Sequence, residues 1–157
     1  MRFYKSVELL QNKIIEKIRE LGKGIGIGIY ISLNKTQKST ENILRTSGIS
    51  TEKMFFIDCV TKEKTRDDVL HIGPDELDTL SEAVSTFIKD IKGEKYLVID
   101  ALSTLLIYNS ENKVAKFVQA ITEYASSKNV LVIAFSPETQ GEELLNKIFN
   151  FFDKVEK

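Results

Sequence analysis

The stretch Tyr96-Leu97-Val98-Ile99-Asp100 decides the fold, because an unbroken apolar run leads directly into an aspartate. Continuous apolarity is typical of a strand that is covered on both faces, as in a parallel sheet. Residues 54–60 and 130–135 carry similar runs, and residues 25–33 alternate isoleucine with glycine. A glycine face lets a helix or another backbone approach closely. We therefore predict four buried strands.

Amphipathic segments separate these strands, and the change of hydrophobic period marks each boundary. Residues 6–21 place apolar side chains at helical spacing, and Gly22 follows where a helix would end. The same reasoning predicts further helices at 39–47, 74–91, 110–124 and 142–152. Helices that alternate with apolar strands predict an α/β three-layer sandwich with a mainly parallel sheet of four to five strands. We expect one domain over residues 1–157.

The composition excludes several classes of protein. The 22 basic and 23 acidic residues leave a net charge of −1, so no global field favours nucleic acid or an anionic membrane. The single cysteine, Cys59, excludes an internal disulfide and the usual structural zinc sites. We find neither a signal peptide nor an apolar run that would span a bilayer. A cytoplasmic protein is the expectation.

Polar residues at the predicted strand ends are the candidates for a ligand cleft, because ligands bind beyond the carboxyl ends of open parallel sheets. An aspartate that closes an apolar strand resembles a Walker B segment, whose carboxylate meets a hydrated Mg²⁺. Asp100 is therefore the candidate metal ligand. The cleft candidates are Asn34, Lys35, Thr36, Asp58, Asp100, Ser103, Thr104 and Ser136.

The glycine loop that makes phosphate binding specific, G-x-x-x-x-G-K-[ST], has no match in the chain. Glycines 24, 26 and 28 lie inside a predicted strand, whereas a dinucleotide fingerprint needs them at the start of a helix. Lys35-Thr36 is the nearest remnant of the motif. The alternative for Lys35 is an exposed lysine in a turn.

Structural roles compete with these functional ones. Asp100 is equally suited to accept backbone N–H bonds, since a buried carboxylate must be paired or hydrogen-bonded in either case. Ser103 and Thr104 are suited to cap local structure. His71 lacks other histidines with which to hold a metal, and Cys59 follows an apolar strand as a small buried hydrophobe. We expect both to be packing residues.

Three segments together resemble the RecA-like ATPase domain of the archaeal KaiC-like proteins: 29–33 (Ile-Tyr-Ile-Ser-Leu), 55–58 (Phe-Phe-Ile-Asp) and 97–103 (Leu-Val-Ile-Asp-Ala-Leu-Ser). The resemblance covers most of the chain. It extends to a degenerate branch of unestablished function that carries the segment 100–108. It implies a RecA-like P-loop NTPase fold lacking the P-loop, in a chain that begins beyond that loop and its strand. In active members of the family this resemblance implies two glutamates that activate water at the end of the strand at 29–33. The matching positions of this chain, near Leu33, Asn34 and Lys35, contain no acid.

Three functions remain open from the sequence. The first is a non-hydrolysing protein-interaction or regulatory module that binds a protein partner or itself, with Leu145, Phe149 and Phe152 as interface candidates. The second is residual binding of ATP and Mg²⁺, or of an anion, at the carboxyl edge of the sheet. The third is an unrelated enzyme that uses Asp58 and Asp100 as an acid–base pair. The missing loop and glutamates favour the first, with no cofactor and no hydrolysis.

Overall fold

A parallel sheet forms the centre of the protein in the computed structural model, which describes residues 2–4, 7–21, 26–62, 66–137 and 146–152. For residues 2–4, 7–10, 137 and 149 it describes the backbone alone. The described strands form one sheet in the order β1-β6-β5-β2-β3-β4, and all neighbouring pairs are parallel. Their bounds are β1 Arg2–Tyr4, β2 Ile27–Ser32, β3 Met54–Asp58, β4 Val69–His71, β5 Lys95–Asp100 and β6 Leu131–Pro137.

Helices cover both faces of the sheet. On one face, here called the α1/α2 face, the buried cluster includes Ile18, Leu44, Tyr30 and Phe56. On the other, the α3/α4 face, Val84 and Val118 pack among the strand residues of a second cluster. The described helices are α1 Val7–Leu21, α2 Gln37–Thr46, α3 Leu77–Asp90 and α4 Glu111–Ser127, with 3-10 helices at Leu102–Ile107 and Phe149–Phe151.

The predicted α/β three-layer sandwich is confirmed, and its four long strands lie where the apolar runs placed them. Two strands of three residues, β1 and β4, extend the sheet to six described strands. Three residues are too few to show a hydrophobic period, so neither strand was predicted. The expectation that the chain begins beyond the strand that precedes its first helix is wrong, because β1 precedes α1.

Local side-chain chemistry sets the helix ends. The Oγ1 atom of Thr36 accepts a hydrogen bond from the Ser39 amide at 3.2 Å, so α2 begins two residues before the predicted start. Ser110 caps α4 in the same way, as predicted, at 3.3 Å from the Lys113 amide. Gly48 has a φ of +80° just beyond α2, which is the left-handed conformation that favours glycine at a helix end.

Gly28 of β2 and Gly26 just before it make room for neighbouring groups; the predicted approach of another backbone occurs at Gly26, whereas a side chain fills the space at Gly28. Gly28 pairs with Tyr96 of β5, and a Cβ atom on Gly28 would lie 2.5 Å from the Tyr96 ring. A Cβ atom on Gly26 would lie 2.9 Å from the backbone oxygen of Glu94. Real Cβ contacts are longer than either distance, so the Tyr96 ring occupies space that only glycine leaves free.

The predicted last helix lies partly outside the described residues, which resume at 146. Residues 146–148 are helical and lead into the 3-10 helix Phe149–Phe151. Ile148 is fully buried, and Phe151 and Phe152 are half-buried against the α3/α4 cluster. Lys147 forms an ion pair of 2.8 Å with Glu111 at the start of α4. None of the described helices combines the length and apolarity that a bilayer span requires.

Candidate functional site

The sheet has a topological switch point between the neighbouring strands β2 and β5. From β2 the chain proceeds through β3 to β4 on one side of the sheet, whereas from β5 it proceeds to β6 on the other side. The direction of winding therefore reverses between β2 and β5. In open α/β sheets such a reversal leaves a crevice at the carboxyl ends of the strands, and ligands bind there. The candidates that border this crevice are Asn34, Lys35, Thr36, Asp100, Ser103 and Thr104.

Two hydrogen bonds cross the crevice from one strand end to the other. The Leu33 amide donates to the backbone oxygen of Asp100 at 2.7 Å. Further out, the Thr104 hydroxyl donates to the Oδ1 atom of Asn34. The predicted candidates Asn34 and Thr104 are thus brought together, but they bond to each other. This hydrogen bond joins the two strand ends across the crevice.

Asp100 lies at the bottom of the crevice, with only 4% of its surface exposed. The Tyr30 hydroxyl donates to its Oδ2 atom at 2.5 Å. Burial raises the pKa of the Asp100 carboxyl, although the Tyr30 hydrogen bond and the charge of Lys35 oppose that shift. Burial and the neighbouring carboxylate also raise the pKa of Tyr30 well above its ordinary value, so its hydroxyl remains a donor. The Asp100–Ala101 peptide bond is cis.

The free space beside Asp100 is about 10 Å³ and is bordered by Tyr30, Lys35 and Thr40. A volume of that order holds about one water molecule. Mg²⁺ keeps several waters when it binds proteins and requires near-octahedral oxygen ligands. The described residues contain no group of three or more His, Cys, Asp or Glu that could hold a metal ion. The predicted metal ligand therefore stands in a site that does not fit hydrated Mg²⁺.

Asp58 is fully used in backbone hydrogen bonds. Its Oδ2 atom accepts from the Gln37 amide at 2.8 Å, and its Oδ1 atom accepts from the amides of Val60 and Thr61 at 2.8 and 2.9 Å. Its exposed fraction is 0%. The carboxylate thus occupies the position that an external anion would take at the N-terminus of α2. Asp58 fastens α2 to the end of β3.

Asp58 and Asp100 do not form an acid–base pair. Ser32 of β2 pairs with Asp58 on one side and with Asp100 on the other, so one strand separates the two carboxylates. The spacing of neighbouring strands puts about 10 Å between them. Because each carboxylate has its own buried partners, the third function considered from the sequence is not supported.

Ser32 is a polar residue of this edge that the sequence reasoning missed. It is fully buried, its hydroxyl donates to the Lys35 backbone oxygen at 2.5 Å, and it shares a hydrogen bond of 3.0 Å with Thr40. The lone serine in an otherwise apolar strand was the available signal. Ser32 holds the loop that carries Lys35 against α2.

The remaining candidates have structural surroundings of their own. Thr36 uses its hydroxyl to cap α2, and Ser103 is buried in the 3-10 helix Leu102–Ile107. Ser136 is fully buried, and its hydroxyl has no hydrogen-bond partner in the described part of the chain. Alternation along β6 puts Ser136 on the α3/α4 face, opposite Asp100, because Phe135 packs on the α1/α2 face. The eight predicted residues therefore do not form one cleft.

A second polar group, which the sequence reasoning also missed, is centred on Glu41 of α2. Its side chain is 6% exposed, and Oε1 accepts from Arg45 at 2.8 Å, Thr51 at 2.8 Å and Arg66 at 3.1 Å. Its Oε2 atom accepts a hydrogen bond from the side-chain Nε2 group of Gln37. Burial raises the pKa of Glu41, but the hydrogen bonds from Thr51 and Arg66 and the charges of both arginines outweigh it, so the pKa is lowered. The helical spacing of residues 37, 41 and 45 was the signal.

His71 and Cys59 are packing residues, as predicted. The Nδ1 atom of His71 lies 2.7 Å from the Thr61 backbone oxygen. A carbonyl only accepts, so Nδ1 carries the proton. Its Nε2 atom is buried and has no partner among the described residues. Burial raises the pKa of the Cys59 thiol to about 12, and the charges of Asp58 and Glu76 act in the same direction. Such a thiol is unreactive at neutral pH.

A sequence family described as "Protein of unknown function (DUF835)" matches residues 10–155, which is nearly the whole chain. The chain belongs to the DUF835 family. No curated protein matches it. In this DUF835 protein, hydrogen bonds between its own side chains span the crevice, and the family description states no function.

Solved structures similar to this DUF835 protein include three from the archaeon Pyrococcus horikoshii. The KaiC-like protein PH0186 superposes with a TM-score of 0.66 at 13% identity, over 98% of this chain and 67% of that one. The protein PH0321, in complex with an unknown peptide, gives 0.72 at 12% identity, over 98% and 74%. PH0250 gives 0.62 at 12% identity, over 99% and 79%. At such identities the similarity establishes a KaiC-like fold alone.

Proposed function

We propose that this DUF835 protein is a non-hydrolysing KaiC-like domain that acts as a protein-interaction or regulatory module. The observation that carries the proposal is that side-chain hydrogen bonds of the chain itself span the crevice between β2 and β5. Tyr30 binds Asp100 at its base, and Thr104 binds Asn34 at its mouth. The free space of about 10 Å³ excludes a nucleotide from the pocket beside Asp100. Surface contacts, rather than this crevice, are then the means by which the domain acts.

A similar structure supports the same proposal. PH0321 was solved in complex with an unknown peptide, although it shares only 12% of its sequence with this chain. A fold similar to that of this chain is therefore compatible with peptide binding. Self-association through the interface candidates is a further part of the proposal. Phe152 is half-buried, whereas Leu145 and the side chain of Phe149 lie outside the described residues.

A selection of random peptides on the immobilised full chain tests the proposal directly. We expect a defined peptide sequence to be enriched over successive rounds and to bind the chain in solution. Enrichment of no peptide that binds in solution, together with a monomer at all accessible concentrations in sedimentation, would overturn the interaction module.

The alternative is residual binding of ATP and Mg²⁺, or of an anion, near Lys35. Lys35 borders the same small space as Asp100, and its charge opposes the rise of the Asp100 pKa, which supports this alternative. Isothermal titration with ATP and Mg²⁺ separates the two functions. We expect no heat of binding from the wild type. Saturable heat that is lost in Asp100→Asn would establish the alternative instead.

The cytoplasmic location and the organisation of residues 1–157 as one domain remain predictions. Gel filtration of the full chain, combined with a single cooperative unfolding transition, tests the second of these. Two separate transitions would contradict it.

A further inference from the structure

A polar groove outside the crevice lies along α2, between that helix and Arg66. It encloses about 850 Å³, which is within the usual range for ligand-binding clefts. Lys38, Asn42 and Arg45 of α2 line it together with Arg66 and the buried Glu41. The described lining thus holds three cationic side chains and one carboxylate, in a protein whose net charge is −1. The groove therefore concentrates positive charge that the whole chain lacks.

Glu41 fixes the side chains of Arg45 and Arg66 but does not use all of their N–H donors. Arg45 uses Nη2 for Glu41 and Nε for Thr51, and Arg66 uses Nη1 for Glu41 and Nε for Asp68. The side chains of Arg45 and Arg66 remain 61% and 39% exposed. Each guanidinium has a further N–H group without a described partner, and arginine binds carboxylates through such paired donors. Donors that are fixed in advance lose less entropy on binding.

We propose that this groove binds an acidic segment of a protein partner, through carboxylates that Arg45, Arg66 and Lys38 contact. This inference rests on the proposed function and names the chemistry of the partner. None of the described residues that line the groove is aromatic, so bases would find no ring on which to stack. None is aliphatic, so the stems of the lysine, arginine and glutamine side chains supply the apolar surface of the groove, and their polar ends supply its specificity. A chain of carboxylates matches both the charge and the polarity of the groove.

The experiment measures fluorescence anisotropy of a labelled oligoglutamate peptide, with oligoglutamine of the same length as the neutral probe. We expect the full wild-type chain to bind oligoglutamate at low ionic strength, to bind oligoglutamine far less, and to lose affinity as salt is added. Lys38→Gln should weaken binding about threefold, the effect of one exposed ion pair. Arg45→Gln should weaken it about tenfold, the effect of a charge-assisted hydrogen bond.

Lys89→Gln is the matched control, because Lys89 is an exposed lysine on α3, on the opposite face of the sheet. It should leave peptide binding unchanged. Lys38 forms no ion pair with a described residue, so Lys38→Gln keeps the test valid even if Arg45→Gln unfolds the chain. The absence of oligoglutamate binding would overturn the acidic partner. Equal losses in Lys38→Gln and Lys89→Gln, or full displacement by inorganic phosphate or single-stranded DNA, would do the same.

The two proposals fail in different ways. If random peptides are enriched but are neutral, and their binding is unchanged in Lys38→Gln and Arg45→Gln, the interaction module stands and the acidic groove is wrong. If no peptide is enriched and ATP binds with Mg²⁺, the proposed function itself is wrong.

Discussion

The Tyr30 hydroxyl donates a hydrogen bond of 2.5 Å to the Oδ2 atom of Asp100, across the boundary between β2 and β5. Both side chains are almost completely buried, at 2% and 4% exposure. A carboxylate that ends a strand at a topological switch point is thus bound by its own neighbour. The contact converts a position suited to ligand binding into part of the α1/α2 core.

Tyr30→Phe removes the donor and leaves a buried carboxylate with less compensation. We expect the free energy of unfolding to fall by about 2 kcal/mol, as for a hydrogen bond to a charged group. Urea unfolding at neutral pH measures it. Tyr30→Phe introduced into the Asp100→Asn variant should lower the free energy of unfolding by less, because residue 100 then carries no charge that loses a hydrogen-bond donor. Equal losses in both backgrounds would show that the bond does not couple the two residues.

The raised pKa of Asp100 gives a pH dependence of stability with a definite sign. The folded state holds the Asp100 proton more tightly than the unfolded state does. Its contribution to stability is therefore full below the ordinary carboxyl pKa and is lost as the pH rises through the raised folded value. Asp100→Asn abolishes this loss while its amide oxygen still accepts from Tyr30. We expect the variant to gain about 1 kcal/mol over the wild type between acidic and alkaline pH.

Urea midpoints of wild type and Asp100→Asn, compared from a pH below the ordinary carboxyl pKa to mildly alkaline pH, test this expectation. A stability difference that is constant over that range would show that Asp100 has the same pKa in both states. A stability advantage of Asp100→Asn over the wild type that grows as the pH falls would contradict a raised pKa of Asp100.

Asp58→Asn should destabilise the protein strongly, in contrast to Asp100→Asn. Asp58 accepts three backbone N–H bonds through both carboxylate oxygens. Asparagine offers one oxygen, so its NH₂ group would face at least one amide donor. We expect a loss of about 2 to 4 kcal/mol in the free energy of unfolding. A loss no larger than that of Asp100→Asn would mean that the Asp58 carboxylate does not hold α2 to β3.

Cys59 should react with a thiol reagent only when the protein opens. Its side chain is 6% exposed, and the pKa of the thiol is raised to about 12. We expect labelling by a disulfide reagent at pH 8 to be far slower in the native state than in urea-unfolded protein. Low urea concentrations should accelerate it. Labelling of the native chain at the rate of a free cysteine would show that the carboxyl end of β3 is accessible.

Much of the fold was predictable because long elements carry their own periodicity. The apolar runs placed β2, β3, β5 and β6 without tertiary information, and Ser110 and Gly48 marked helix ends. The edge strands β1 and β4 were missed because their three residues gain strand geometry only by pairing with β6 and β3. The 3-10 helix Leu102–Ile107 lacks a helical period of its own and was missed for a similar reason.

The candidate site was predicted less well, for a different physical reason. The sequence identified Asp100 and Asp58 as strand-ending carboxylates, and both lie at that edge of the sheet. Neither their partners nor the direction of Ser136 follows from local pattern, since Tyr30 and Asp100 are 70 residues apart. Hydrogen bonds over such separations depend on strand order, which hydrophobic period does not encode.

By itself the sequence determined the helix and strand layers of this protein, because the spacing of its apolar residues determines which face of each element is buried. It also determined that a glycine phosphate-binding loop has no match, since that motif is a property of consecutive residues. Only the tertiary structure decided what the strand-end polar groups do. Packing brought Thr104 to Asn34 and Tyr30 to Asp100, so that both hydrogen bonds cross the crevice. It also brought Arg66 to Glu41 across 25 residues, which formed the groove on α2.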